Sequence, residues 1–203
     1  MRLARLVVLL GLAGGGLPGC GSGQLQAQEE AVRVEWSEAV NLYQRRSDLV
    51  PEVLAKLRAR GFEDHDALSR AEMARAATLA DPPRPALLDD ADAFARSQAA
   101  QVELREALAA LVHSADQQPA LSSDAGYRDL RSQLQDVERR IAQVRLRYAE
   151  ASHAFNTAIR RFPDRFTARL FDHAPMPGMA RVDAGGGKVA GAPKDPGRPM
   201  ASH

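Results

Sequence analysis

The chain has one cysteine, Cys20, so it can form no internal disulfide and no thiolate metal cluster. Aromatic residues make up only 5% of it, and β-branched residues are sparse through its middle, which argues against a sheet-built core. A dominant charge is missing too. The formal net charge is +1, so there is no broad basic field to draw in nucleic acid. No nucleophile stands with a base and an orienting group at a recognisable spacing, which points away from an enzyme. Nor is there a long apolar run: the stretch between Arg5 and Cys20 falls short of the about 20 residues that a spanning helix needs, and glycines interrupt it. Glycine is itself scarce where a fold would sit, since only Gly61 and Gly126 lie between Ala31 and His173.

What is present falls into four parts. Residues 1–19 have a basic head at Arg2 and Arg5, an apolar run from Leu6 to Leu12 and a small-residue exit, the layout of an export signal. The exit ends in Leu17-Pro18-Gly19-Cys20, which resembles a bacterial lipobox, with Pro18 as its departure from the usual pattern. That resemblance makes Cys20 the residue to be acylated, and two or three chains at about 0.8 kcal/mol per buried CH₂ anchor stably where one does not. Gly21 rather than Asp follows, which by the same resemblance favours an outer-membrane, periplasm-facing location. Residues 20–30 are expected to form a flexible tether, 31–173 the folded body, and 174–203 a disordered Pro/Gly-rich tail.

The body is rich in Ala, Leu, Arg, Glu and Gln, which favours helix throughout. Breakers at Gly61, Pro82-Pro83-Arg84-Pro85, Pro119 and Pro163 divide it into segments of about Ala31 to Arg60, Asp64 to Ala80, Ala86 to Asp116 and Ser123 to Phe162. In the last, Tyr127, Leu130, Leu134, Val137, Ile141, Val144, Tyr148, Ala151, Phe155, Ala158 and Phe162 recur in steps of three and four, a sustained heptad seam. Val32, Trp36, Ala39, Tyr43, Val50, Leu54 and Leu57 form a matching stripe on the first segment, and Phe94, Gln101, Leu104, Leu108 and Leu111 on the third. Short connections between long helices make antiparallel neighbours. The expected fold is therefore all-α: an elongated, up-and-down antiparallel bundle of four main helices, with a short fifth near Arg165 to Phe171.

Pro51 falls where the first helix should continue. A proline in a helix interior removes an N–H and crowds the carbonyl four residues back, at about 3 kcal/mol, so a kink is expected there. The alternative is a break that makes Pro51 the first residue of a second helical piece. Just before it lie Arg45, Arg46 and Asp48, while Glu138 and Arg145 share one side of the last helix. These charges border apolar seams, so they are expected either to pair between the first and last helices or to lie as solvated flanks. Asp64-His65-Asp66 has the look of a metal site, but no second histidine stands at ligand spacing, and a helix N-cap accounts for the residues. No metal or cofactor is expected.

Two groups of residues together carry a family resemblance. The first runs through Trp36-Ser37, Arg45-Arg46-Ser47-Asp48-Leu49-Val50-Pro51, Leu54, Gly61-Phe62, His65-Asp66 and Ala74-Arg75. The second comprises Tyr127, Leu130, Leu134, Glu138, Ile141, Arg145, Tyr148, Ala151, Phe155-Asn156, Ile159 and Phe162-Pro163. In order and spacing they resemble the LemA family of bacterial envelope proteins, from Trp36 to about Phe171. The resemblance implies an antiparallel helical bundle held outside the cytoplasm by its N-terminus, with no enzymatic activity established. Glu52, Asp66, Gln118 and Ala149 depart from the family's usual residues, and a lipobox-like segment replaces its usual spanning helix. The function expected is a non-catalytic scaffold or interaction module, lipid-tethered to a membrane and facing other envelope proteins. A bundle that binds a small ligand or metal is the alternative, and homo-oligomerisation stays open.

Overall fold

The computed structural model describes residues 20–161 and 174–179, although nothing is described of the side chains of residues 20–22. The order is α1 (Cys20–Ala59), α2 (His65–Ala80), a 3₁₀ turn (Pro85–Asp89), α3 (Ala91–Asp116), a one-turn α4 (Pro119–Ser122) and α5 (Ala125–Ala158), with no strand among the described residues. The helices end where local chemistry ends them. Gly61 takes a left-handed φ of 70°, letting the Phe62 N–H reach the Leu57 carbonyl (3.1 Å) and the Gly61 N–H reach that of Arg58 (3.1 Å). This satisfies the last carbonyls of α1, and Phe62 tucks into the core beside Leu57. Asp64, Asp90 and Asp124 start α2, α3 and α5 by accepting the amide three residues on, at 3.0, 2.9 and 2.7 Å.

Cross-helix pairs fix the direction of each element. Along α1, Glu35 and Glu38 meet Arg147, Arg46 meets Glu138, and Lys56 meets Asp124, so α5 runs opposite to α1. Arg58 with Glu72, and Arg75 with the Ser47 carbonyl, set α2 against α1. Tyr43 with Gln98 and Arg46 with Gln101 show α3 running alongside α1 in the same sense. The result is the expected up-and-down bundle, with α1 and α5 as its main pair.

Its interior divides in two. One apolar cluster joins the first part of α1, the 3₁₀ turn, the start of α3 and the last part of α5. Trp36 is central there, with the rings of Phe94, Tyr148 and Tyr43 at 4.9, 6.1 and 6.4 Å, and its indole N–H donates to the Arg84 carbonyl (2.9 Å), pinning the proline-rich connection. The other cluster joins the ends of α1 and α3, the start of α5 and the inner face of α2. All of the residues expected on the stripes of α1 and α3 are buried; on α5, Leu130, Ala151 and Ala158 are half-buried and the rest are buried, apart from Phe162 outside the described residues.

The structure departs from expectation at three places. Residues 20–30 are not a tether but the opening turns of α1, because Leu25 is buried against the first cluster and draws the polar stretch into the helix. The third helix begins at Ala91 rather than Ala86: Pro85 starts a 3₁₀ turn, and the extended Asp90 has to end it before capping α3. The expected disordered tail is not loose in its first six residues, 174–179, which pack on the bundle with Met176 buried. The expected fifth helix, the signal 1–19 and the remainder of the tail lie outside the described residues.

Candidate functional site

Between the two apolar clusters lies a layer of polar side chains. Arg46 is 1% exposed and sits on α1 between Tyr43, at the border of the first cluster, and Val50, in the second. Its Nη1 donates to Glu138 Oε1 on α5 (2.9 Å), while Nη2 donates to the Gln101 carbonyl on α3 (2.8 Å) and to the side-chain oxygen of the same glutamine. The guanidinium carbon also stands over the Tyr43 ring, 5.5 Å from its centroid. One buried cation thus ties three helices together. A charge this deep is tolerable only when carboxylate and carbonyl oxygens replace its water.

Arg145 forms the second part of the layer. Its Nη1 donates to the Tyr43 hydroxyl (3.1 Å) and to Gln98 Oε1 (3.0 Å), and the Tyr43 hydroxyl donates to the same Gln98 oxygen (3.2 Å). Four buried atoms of the layer, Arg46 Nε, Ser47 Oγ, Ser97 Oγ and Gln98 Nε2, have no hydrogen-bond partner among the described residues. Each such group disfavours the fold by about 1–3 kcal/mol.

Of the charged residues singled out by sequence, Arg46, Glu138 and Arg145 come together as an inter-helix network. Arg45 and Asp48 do not: both are exposed, and Asp48 accepts from Gln44 on its own helix (2.7 Å). The reason is helical phase: Arg45 and Asp48, one residue before and two after Arg46, lie on the exposed side of α1, whereas Arg46 and Ser47 lie on the buried side. Pro51 is exposed and lies inside α1, which continues through it to Ala59. The carbonyl that a proline there deprives of its partner is that of Ser47, and Arg75 Nε of α2 donates to it (2.9 Å). Cys20 is the first residue of α1.

The sequence reading missed Tyr43, Gln98 and Gln101 as polar partners, and Arg75 as the group that completes the helix at Pro51. Gln101 carried a signal, standing alone as a polar residue on the stripe of α3. Elsewhere, Asp64 fulfils the N-cap reading while also accepting from Ser114 Oγ (2.6 Å), and these two bonds, the serine's first, hold its carboxyl below the usual range. The Tyr127 amide, then Arg60 and Lys56, do the same to Asp124. Among the described residues no three His, Cys, Asp or Glu side chains converge to hold a metal, and no helix is long and apolar enough to cross a membrane.

The class that emerges is a helical rod in which Arg46, Glu138, Arg145 and their glutamine and tyrosine partners bond between helices. The chain belongs to the LemA family, whose family model matches residues 35–185. No curated protein matches it. Family membership goes with association with the cell envelope.

Proposed function

We propose that this chain is a non-catalytic interaction module of the cell envelope, attached through a lipid on Cys20 and presenting the sides of its helical rod to other envelope proteins. The observation that carries the reading is the inter-helix pairing within the polar layer. Arg46 bonds both Glu138 of α5 and Gln101 of α3, so the charges that sequence singled out are engaged in joining helices. Because α1 is helical from Cys20 onward, a lipid there would be coupled to the bundle through continuous helix. Gly21 after the cysteine favours the periplasmic face of the outer membrane.

The test is acyl labelling and crosslinking in intact cells. An alkyne-bearing fatty acid should label the wild-type chain and not Cys20→Ser, and crosslinking should capture a reproducible protein partner that is lost when 31–173 is deleted. Loss of the partner with the label intact assigns the interaction to the bundle. Labelling of Cys20→Ser would end the anchor reading. The second reading, a bundle that holds a small polar ligand, draws on the unpartnered Gln98 Nε2 and Ser97 Oγ. A stoichiometric metal or small molecule retained on protein purified without chelator, seen by elemental analysis and native mass spectrometry, would replace the first reading with it.

A further inference from the structure

Two helices alone cannot enclose a core. Phe94, near the start of α3, lies level with Trp36, so the first turns of α1 and the last turns of α5 run on beyond α3. Leu25, Val32, Phe155 and Ile159 are nonetheless all buried at that end. Part of their cover comes from Ala174–Met179, whose Met176 is 6% exposed within the same cluster and whose Met179 packs against it.

The way this segment is held is that of a bound peptide. Asn156 of α5 uses both ends of its carboxamide on a single residue: Nδ2 donates to the Met176 carbonyl (2.9 Å), and Oδ1 accepts the Met176 N–H (2.8 Å). Tyr148 donates its hydroxyl to the Pro177 carbonyl (2.6 Å). Burial, then the nearby Tyr43, pushes the Tyr148 phenol well above its ordinary value, so it keeps that proton. Pro175 and Pro177 have no N–H, so the one main-chain donor across these three residues is the one that Asn156 satisfies. Flanking prolines also restrict the segment to extended conformations before it docks, which lowers the entropy lost on binding. Main-chain clamps give affinity, and the apolar seat of one side chain gives specificity.

The geometry points to a peptide-binding site at the α1/α5 end of the bundle, built from Asn156, Tyr148 and the apolar seat of Met176, which takes an extended, proline-flanked methionine segment. Ala174–Met179 is its resident, displaceable ligand. A partner that this surface fits carries such a segment and exchanges with the resident one. This deepens the interaction-module reading and rests on it, by naming the chemistry of one partner.

The test uses the full chain in detergent and a fluorescent peptide of sequence Ala-Pro-Met-Pro-Gly-Met. A ligand supplied by the same chain is presented at high effective concentration, so wild type should bind the peptide weakly. Met176→Asp, which loosens the resident segment, should bind it at least about tenfold more tightly, and adding Asn156→Ala should remove that gain. Circular dichroism keeps loss of fold apart from loss of binding. As a readout that does not depend on Met176→Asp, peroxide should oxidise Met176 more slowly than Met73, which is 63% exposed, and Asn156→Ala should narrow the difference. Equal peptide binding by wild type and Met176→Asp, or binding indifferent to Asn156→Ala, overturns the proposal. So does a wild-type chain that is dimeric where Met176→Asp is monomeric, since the resident would then come from a second copy. Failure here leaves the in-cell crosslinking result standing, so the two readings fall separately.

Discussion

Arg46 has almost no water left to solvate it, and that decides what its neighbours must be. With a side chain 1% exposed, its charge is balanced by Glu138, itself 27% exposed, and by the oxygens of Gln101. A surface pair of the same geometry would contribute little, because water competes for both partners. Here removing the carboxylate leaves the buried cation stranded. Glu138→Gln keeps the shape but removes the charge, and is expected to lower stability by about 1–3 kcal/mol. That corresponds to a fall of roughly 3–10 °C in a thermal melt followed by circular dichroism. Arg45→Gln, on the exposed neighbouring position, should leave the midpoint within about 1 °C. A melt of Glu138→Gln superimposable on wild type would place the pair among solvated flanks.

At the scale of the helix, Pro51 and Arg75 form one device. Proline at 51 leaves the Ser47 carbonyl without its helical donor, and α2 places the Arg75 guanidinium 2.9 Å from it. The two positions should therefore be coupled. Arg75→Ala is expected to destabilise the wild-type chain by about 1–3 kcal/mol. In a Pro51→Ala background, where an amide again reaches Ser47, the same substitution should be felt less by about 1 kcal/mol. Denaturant melts of the four proteins measure the coupling, and additivity would show that Arg75 contributes only by packing. This device also shows where sequence stops being informative. Seams such as Trp36 and Tyr43, or Val137 through Tyr148, were legible because burial of a helix face repeats at a fixed period. Asp64 and Gly61 were legible because caps and stops act within a few residues of themselves. Arg75 was not, since its role depends on which turn of α2 comes level with Ser47, and that is set by packing between elements. Gln98 was invisible for a similar reason: an amide on a helix shows its purpose only once Tyr43 and Arg145 are brought to it. The opening turns of α1 and the docking of Met176 were hidden by Gly, Gln and Pro, whose local preferences gave way to apolar contacts made from afar.

At the scale of the molecule, continuity of α1 from Cys20 has a mechanical consequence for the anchored form. If the lipid is on Cys20, no coil intervenes between the bilayer and the bundle, and position along α1 becomes distance from the anchor at 1.5 Å per residue. Among the described residues the exposed large apolar side chains, Val34 on α1, Met73 and Leu79 on α2 and Leu146 on α5, are too few to make a continuous apolar side on which the rod could lie. An interfacial helix needs a continuous apolar face to hold it in the headgroup region. The rod should therefore stand away from the surface. Gln24 lies about 6 Å along the helix from Cys20, whereas the exposed Ala59 lies about 60 Å away. A fluorophore on Gln24→Cys, in acylated protein reconstituted into vesicles, should be quenched strongly by lipids bearing a nitroxide near the headgroup. The same fluorophore on Ala59→Cys should be quenched little. Equal quenching at both sites would mean that the rod lies flat on the membrane, its sides turned to lipid. An unquenched Gln24 label on a chain shown by mass to be acylated would mean that α1 does not reach the anchor as a helix, and that residues 20–30 part from the bundle at the membrane.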